Sequence, residues 1–121
     1  MDVGSRIRSA VPLRVAVLGS TGSIGASTLE VIAASDGEFV PFLLAAHRRT
    51  DLLLAQARAY LPQWIVVLDP AAALAMDRTG VPAETQVAVG PEALDELVQA
   101  PEIDRVVAAI VGAAGLRSTW A

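Results

Sequence analysis

The stretch Val15-Ala16-Val17-Leu18-Gly19-Ser20-Thr21-Gly22-Ser23-Ile24-Gly25 decides how the rest of the chain is read. An apolar strand runs into a glycine-rich turn, and a helix-compatible segment, Ala26-Ser27-Thr28-Leu29-Glu30-Val31-Ile32, follows at once. That order gathers the unpaired N–H groups of a helix N-terminus at the edge of a sheet, where the helix dipole also favours negative charge. Such a corner suits the pyrophosphate of a dinucleotide. The glycines fall at 19, 22 and 25, a G-x-x-G-x-x-G spacing rather than the more familiar G-x-G-x-x-G. The three roles can still be filled: a tight turn, close approach to phosphate, and close packing of helix on strand. The alternative is a strand-to-helix turn that binds nothing.

Working outward, apolar β-like runs alternate with helical patterns, the signature of an α/β protein with a parallel sheet. Leu13 to Leu18 reads as the first strand, and Ser23 to Ala34 as a helix with Ile24, Thr28, Val31 and Ile32 near one face. Ser35-Asp36-Gly37 ends that helix with turn chemistry. Glu38 to Ala46 is the second strand, and Pro41 within it, lacking an N–H, belongs at a strand end, an edge or a bulge. Thr50 to Tyr60 is a second helix with Leu53, Leu54 and Ala57 inward, stopped by Pro62. Trp64 to Leu68 is a short buried strand, and Asp69-Pro70 opens a third helix through an N-cap and a first-turn proline. Gln86 to Val89 is a strand, Pro91 to Gln99 an acidic helix, and Asp104 to Val111 the last strand. The expected fold class is therefore α/β, a Rossmann-type open parallel sheet flanked by helices. A further helix begins at Leu116 and runs only to Ala121, so the sheet is expected to be truncated at its C-terminal end.

Bulk properties exclude several function classes. A chain of 121 residues fits one domain with a modest core. Hydrophobic content of 54% is high, but much of it is alanine, which suits helix-on-sheet packing. The longest apolar run, Val106 to Leu116, has 11 residues and two glycines, against the roughly 20 a spanning helix needs. Met1 to Pro12 has no apolar core of a secretory signal, so a cytoplasmic protein with no membrane partner is expected. With no cysteine and a single histidine, disulfides, thiolate chemistry and a zinc-type cluster are excluded within these residues. A net charge of −4 argues against nucleic acid. All nine basic residues are arginine, which rules out lysine-based catalysis in this chain.

The second strand's end bears on nucleotide choice. A site for NAD places a carboxylate there to accept hydrogen bonds from the ribose 2′-OH. Here the chain reads Ala45-Ala46-His47-Arg48-Arg49, with no acid before Asp51. Arg48 and Arg49 suit a 2′-phosphate through charge-assisted, bidentate hydrogen bonds. They also precede a helix N-terminus, where a cation costs ~0.3–1 kcal/mol unless an anion compensates. The alternative is a solvated arginine pair balanced by Asp51. His47 reads as a loop or adenine-flanking residue, not a catalytic one.

The run from Leu18 to Gly25, with Ser27 to Ile32 after it, resembles the amino terminus of the 1-deoxy-D-xylulose 5-phosphate reductoisomerase family. A second block about ninety residues on, Ala108-Ala109-Ile110-Val111-Gly112-Ala113-Ala114-Gly115-Leu116, is similar to that family's next characteristic segment. The resemblance spans residues 13–121 and leaves 1–12 as an N-terminal extension. It implies that 13–121 form an incomplete NADPH-binding domain, with catalytic and C-terminal domains outside this chain. Thr21, Gly22, Ser23 and Ile24 then wrap the pyrophosphate, and the basic residue at 48 matches a family lysine, while His47 and Arg49 replace a glycine and an asparagine. The turn Gly112 to Gly115 would admit the nicotinamide half, or serve packing alone. The implied activity is NADPH-dependent rearrangement and reduction of a phosphosugar, with Mg²⁺ or Mn²⁺, in a cytoplasmic homodimer. The metal ligands and catalytic residues are expected beyond Ala121, so none is assigned. Asp69, Asp95 and Glu96 read as capping and surface residues instead. Three other readings stay open: a short-chain reductase, disfavoured by Thr28 and the missing lysine; a semialdehyde dehydrogenase, which needs a cysteine; and a stand-alone NADP-binding module without catalysis.

Overall fold

The computed structural model describes residues 12–108. Five strands, β1 (Leu13–Leu18), β2 (Phe39–Ala46), β3 (Trp64–Val67), β4 (Gln86–Val89) and β5 (Arg105–Ala108), form one sheet in the order β4-β3-β2-β1-β5. Every neighbouring pair is parallel. Four α-helices connect them: α1 (Ser23–Ala34), α2 (Thr50–Tyr60), α3 (Pro70–Ala75) and α4 (Pro91–Val98). The expected elements are thus present to within a residue or so. The part of the last strand expected over 109–111, the Gly112–Gly115 turn and the helix from Leu116 lie outside the described residues.

The chain steps one way from β1 to β4, then returns past β1 to β5. Right-handed crossovers then require helices on opposite faces for the two directions of travel. The packing agrees. Val15, Val17, Leu44, Ala46, Ile65 and Val67 face one side, where Leu29, Ile32, Leu53, Leu54, Ala57 and Ala73 of α1, α2 and α3 cover them. The alternate residues Ala16, Leu18, Leu43, Ala45 and Val66 face the other, against Leu94, Leu97 and Val98 of α4. This strict alternation is the period-two geometry of a strand buried on both faces.

Pro41 sits in an interior strand, and a bulge makes that possible. Val15 pairs with Pro41 and the next residue, Ala16, with Leu43, so Phe42 is the extra residue on β2. β3 begins to pair only at Leu43, which leaves the missing N–H of Pro41 outside the β3 ladder. At the other side of β1, Asp104 fixes β5. Its N–H donates to the Arg14 carbonyl and its carboxylate accepts from the Arg14 N–H, both at 2.8 Å.

The inward face of α1 is Gly25, Leu29 and Ile32, whereas Ile24 and Val31 are 49% and 68% exposed. Of the four residues read as lying near one face, Ile24, Thr28, Val31 and Ile32, Ile32 alone is buried. Val31 and Thr28 line an open apolar cleft with Phe39, Val106 and Val107 instead. The buried face is centred about 80° around the helix from the middle of those four, given 100° per residue. Gly25 sits in the middle of that buried face, where the smallest residue allows the closest approach of helix to sheet.

Candidate functional site

The site lies at the carboxyl ends of β1 and β2, which are paired up to Leu18 and Ala45. Gly19 turns the chain out of β1 with φ 80°, a conformation that L side chains resist. Its N–H and that of Ser20 both donate to the Ala45 carbonyl, at 2.8 and 3.0 Å, so the turn is pinned on the neighbouring strand. The Gly22 N–H closes the turn on the Gly19 carbonyl at 3.2 Å. The third glycine, Gly25, is buried directly on this turn: a Cβ there would press into the Gly19 carbonyl oxygen and stand 2.6 Å from Ser20 Cα.

Gly22 is the N-cap of α1 and provides no side-chain cap. The first helical bond runs from the Ala26 N–H to the Gly22 carbonyl, so the earlier donors at Ser23, Ile24 and Gly25 are left without helical acceptors. No acid occupies the first turn. The other three helices differ: α2 has Asp51 and α4 has Glu92 in the first turn, and Asp69 caps α3. The positive end of α1 is the one of the four described helices left uncompensated. Gly22, Ser23 and Ile24 are exposed and Thr21 is half-buried. A Cβ at Gly22 would find its nearest neighbour 3.7 Å away, so open space lies over that backbone. These are the features an oxyanion group needs to approach main-chain donors.

The second cluster follows β2. His47, Arg48 and Arg49 are exposed in the loop to α2, and Arg49 is the helix's N-cap. Arg48 Nε stands 3.5 Å from Asp69 Oδ2 with its side chain two-thirds exposed. Asp69 therefore balances Arg48, the role the solvated-pair alternative gave to Asp51. Asp69 also accepts the Ala71 N–H at 3.1 Å as the α3 cap, as expected. Asp95 and Glu96 are exposed on α4.

The sequence reading passed over Gln56. Ser20, completely buried, donates from Oγ to Gln56 Oε1 at 2.8 Å, and Gln56 Nε2 donates to the Ser20 carbonyl at 2.7 Å. The available signal was a polar residue three positions after Leu53, on the face of α2 that otherwise carries Leu53, Leu54 and Ala57.

A parallel sheet whose direction of travel reverses beside β1, with a glycine-rich strand-to-helix turn at that point, defines a Rossmann-type nucleotide-binding fold. A sequence model of 1-deoxy-D-xylulose 5-phosphate reductoisomerase matches residues 15–121, and the chain belongs to that family. The reductoisomerase of Pseudomonas fluorescens (strain Pf0-1) is 46% identical over 112 residues, covering 91% of this chain and 28% of the relative. The solved Zymomonas mobilis reductoisomerase in complex with NADPH superposes with a TM-score of 0.76 at 33% identity, over 89% of this chain and 28% of that one. A reductoisomerase in complex with NADPH, fosmidomycin and magnesium gives 0.72 at 37% identity, over 88% and 26%. The chain thus spans a little over a quarter of the length of the relatives it matches.

Proposed function

We propose that this chain is the NADPH-binding portion of a 1-deoxy-D-xylulose 5-phosphate reductoisomerase. In this reading residues 13–121 form the nucleotide domain and 1–12 precede it as an extension. The observation that carries the proposal is the uncapped, acid-free N-terminus of α1 on the Gly19–Gly22 turn, with Arg48 and Arg49 after the adjacent strand. Thr21, Ser23 and Ile24 offer main-chain donors, with two hydroxyls, to the pyrophosphate, and Gly22, whose N–H is spent on the Gly19 carbonyl, leaves the open space in which the phosphate is wrapped. Arg48 and Arg49 take the 2′-phosphate, Arg48 exchanging Asp69 for the phosphate. The buried β1–β2 floor holds both clusters in fixed register and excludes water beneath them.

Bound NADPH supplies the hydride for conversion of 1-deoxy-D-xylulose 5-phosphate to 2-C-methyl-D-erythritol 4-phosphate, the second step of the non-mevalonate isoprenoid route. The residues named here bind and orient; none is assigned to catalysis or to the divalent ion, Mg²⁺ or Mn²⁺. A cytoplasmic homodimer belongs to the same reading. Among the described residues no helix is long and apolar enough to cross a membrane.

The test is nucleotide binding by the complete gene product, followed through NADPH and NADH fluorescence. NADPH should bind more tightly than NADH. Arg48→Ala should weaken NADPH by about 1.5–3 kcal/mol, the worth of a charge-assisted hydrogen bond, and leave NADH unchanged. Equal affinity for the two nucleotides in the wild type would sink the 2′-phosphate assignment. Absence of NADPH oxidation with 1-deoxy-D-xylulose 5-phosphate and Mg²⁺, despite tight binding, would leave a nucleotide-binding module without this reaction.

A further inference from the structure

We infer that Gln56 is a positioning residue that holds the glycine-rich turn in its nucleotide-binding shape; the inference rests on the NADPH reading above. Ser20 is fully buried and its N–H is already used by the Ala45 carbonyl. Its carbonyl would be a buried acceptor without a partner were it not for Gln56 Nε2 at 2.7 Å. The amide orientation is fixed by chemistry, since a backbone carbonyl can only accept, so Nε2 faces it and Oε1 receives the serine hydroxyl. One side chain thus satisfies both remaining polar groups of the buried residue.

The consequence reaches the site through peptide planarity. In a trans peptide the C=O and the following N–H point in opposite directions. Gln56 draws the Ser20 carbonyl toward α2, so the Thr21 N–H is aimed the opposite way and cannot rotate without breaking that bond. Gln56 therefore sets the direction of a donor in the turn, two residues before the helix starts. It also ties the turn to α2, whose N-cap is Arg49. Pyrophosphate and 2′-phosphate donors are by this means carried on one rigid unit.

Gln56→Glu discriminates. The carboxylate can still accept from Ser20 Oγ, but it offers no N–H to the carbonyl and sets two acceptors against each other. Ser20→Ala does the reverse, deleting the hydroxyl bond while sparing the amide-to-carbonyl bond. In the complete gene product, NADPH and NADH titrations and thermal midpoints are measured for each. Gln56→Glu should weaken both nucleotides by roughly tenfold or more and keep their ratio, because the pyrophosphate is common to both. Ser20→Ala should weaken both by about threefold. Arg48→Ala, in contrast, changes the ratio. If Gln56→Glu does not fold, Gln56→Met, close in shape and without polar atoms, replaces it and should lose affinity to the same order. A folded Gln56 variant with a lowered midpoint and wild-type affinity for both nucleotides would make Gln56 a core residue only and overturn the inference. Failure of the wild type to bind either nucleotide overturns the NADPH reading itself, and the inference with it.

Discussion

Replacing Gly25 with alanine sets two effects of opposite sign against each other. In a helix, alanine is favoured over glycine by about 1 kcal/mol. Here, however, the new Cβ would press into the Gly19 carbonyl oxygen and lie 2.6 and 2.8 Å from Ser20 Cα and C. Carbon atoms in contact prefer about 3.5–4.0 Å, so α1 must retreat by roughly 1 Å. Backbone, not a flexible side-chain tip, lies on the other side of the contact. Retreat also lifts Leu29 and Ile32, 0% and 5% exposed, from the β1–β2 floor. Overpacking of this kind costs about 1–3 kcal/mol, and a gap of that size forfeits a quarter to a half of each dispersion contact. The steric term wins, with a net loss of about 1–2 kcal/mol. Affinity should suffer more than stability, since the displaced backbone is the turn that meets the pyrophosphate. Gly22→Ala is the control: its Cβ meets nothing closer than 3.7 Å and its φ of −78° suits any residue, so the stability cost should be only the N-cap preference for glycine over alanine, about 1 kcal/mol or less. Its methyl stands over the donors, so nucleotide affinity should still fall. Urea denaturation and NADPH titration of both variants measure the two effects separately. A Gly25→Ala protein as stable as the wild type, or more so, would refute the close-packing argument.

Two further outcomes follow from side chains near the site and from a distant turn. Asp69→Asn keeps an oxygen to accept the Ala71 N–H but removes the negative charge 3.5 Å from Arg48. It should tighten NADPH severalfold at low salt, leave NADH nearly unchanged and shift stability by less than about 0.5 kcal/mol. Asp77, which caps the short 3₁₀ turn Arg78–Gly80, is held below the usual carboxylate range, first by the Thr79 hydroxyl at 2.6 Å and then by the Thr79 N–H at 3.0 Å. A depressed folded-state pKa means that its contribution to stability is present above the unfolded value and is lost as pH falls through the folded one. Carboxyl ¹³C titration should locate that lowered value, and Thr79→Val should raise it.

The sequence was most informative where punctuation is covalent or steric. Proline and glycine bounded nearly every element, and Pro41 left three places open, a strand end, an edge or a bulge, because a missing N–H has few places to go; the structure has the bulge. Asp69-Pro70 marked a helix start that the structure repeats atom for atom in its cap. Apolar bulk does not by itself mark the buried face of α1, since Ile24 and Val31 are exposed. Contact distance governs instead, and Gly25, with no side chain at all, faces the sheet. Gln56 was passed over for a related reason. A glutamine on a helix suggests solvent unless its partner is known, and its partner is a backbone carbonyl 36 residues away in sequence. The placement of Thr21 to Ile24 and of Arg48 and Arg49 at neighbouring strand ends was legible, because both clusters follow an apolar strand directly. That Arg48 leans on Asp69 was not, since nothing in the spacing joins β2 to the start of α3.

The position of β1 has a consequence in time. It leaves the ribosome ahead of the other four described strands, yet it ends in the interior of the sheet, and its β5 neighbour lies ninety residues downstream, at Asp104 bonded to Arg14. At roughly 5–20 residues per second, one side of β1 waits about 5–20 s during synthesis with its ladder open. The bulge at Phe42 and the buried β2 side can form early, but the nucleotide corner stands beside an unfinished edge throughout that interval. Asp104, gripping both polar groups of the Arg14 main chain, then acts as the register mark by which the late strand finds the early one.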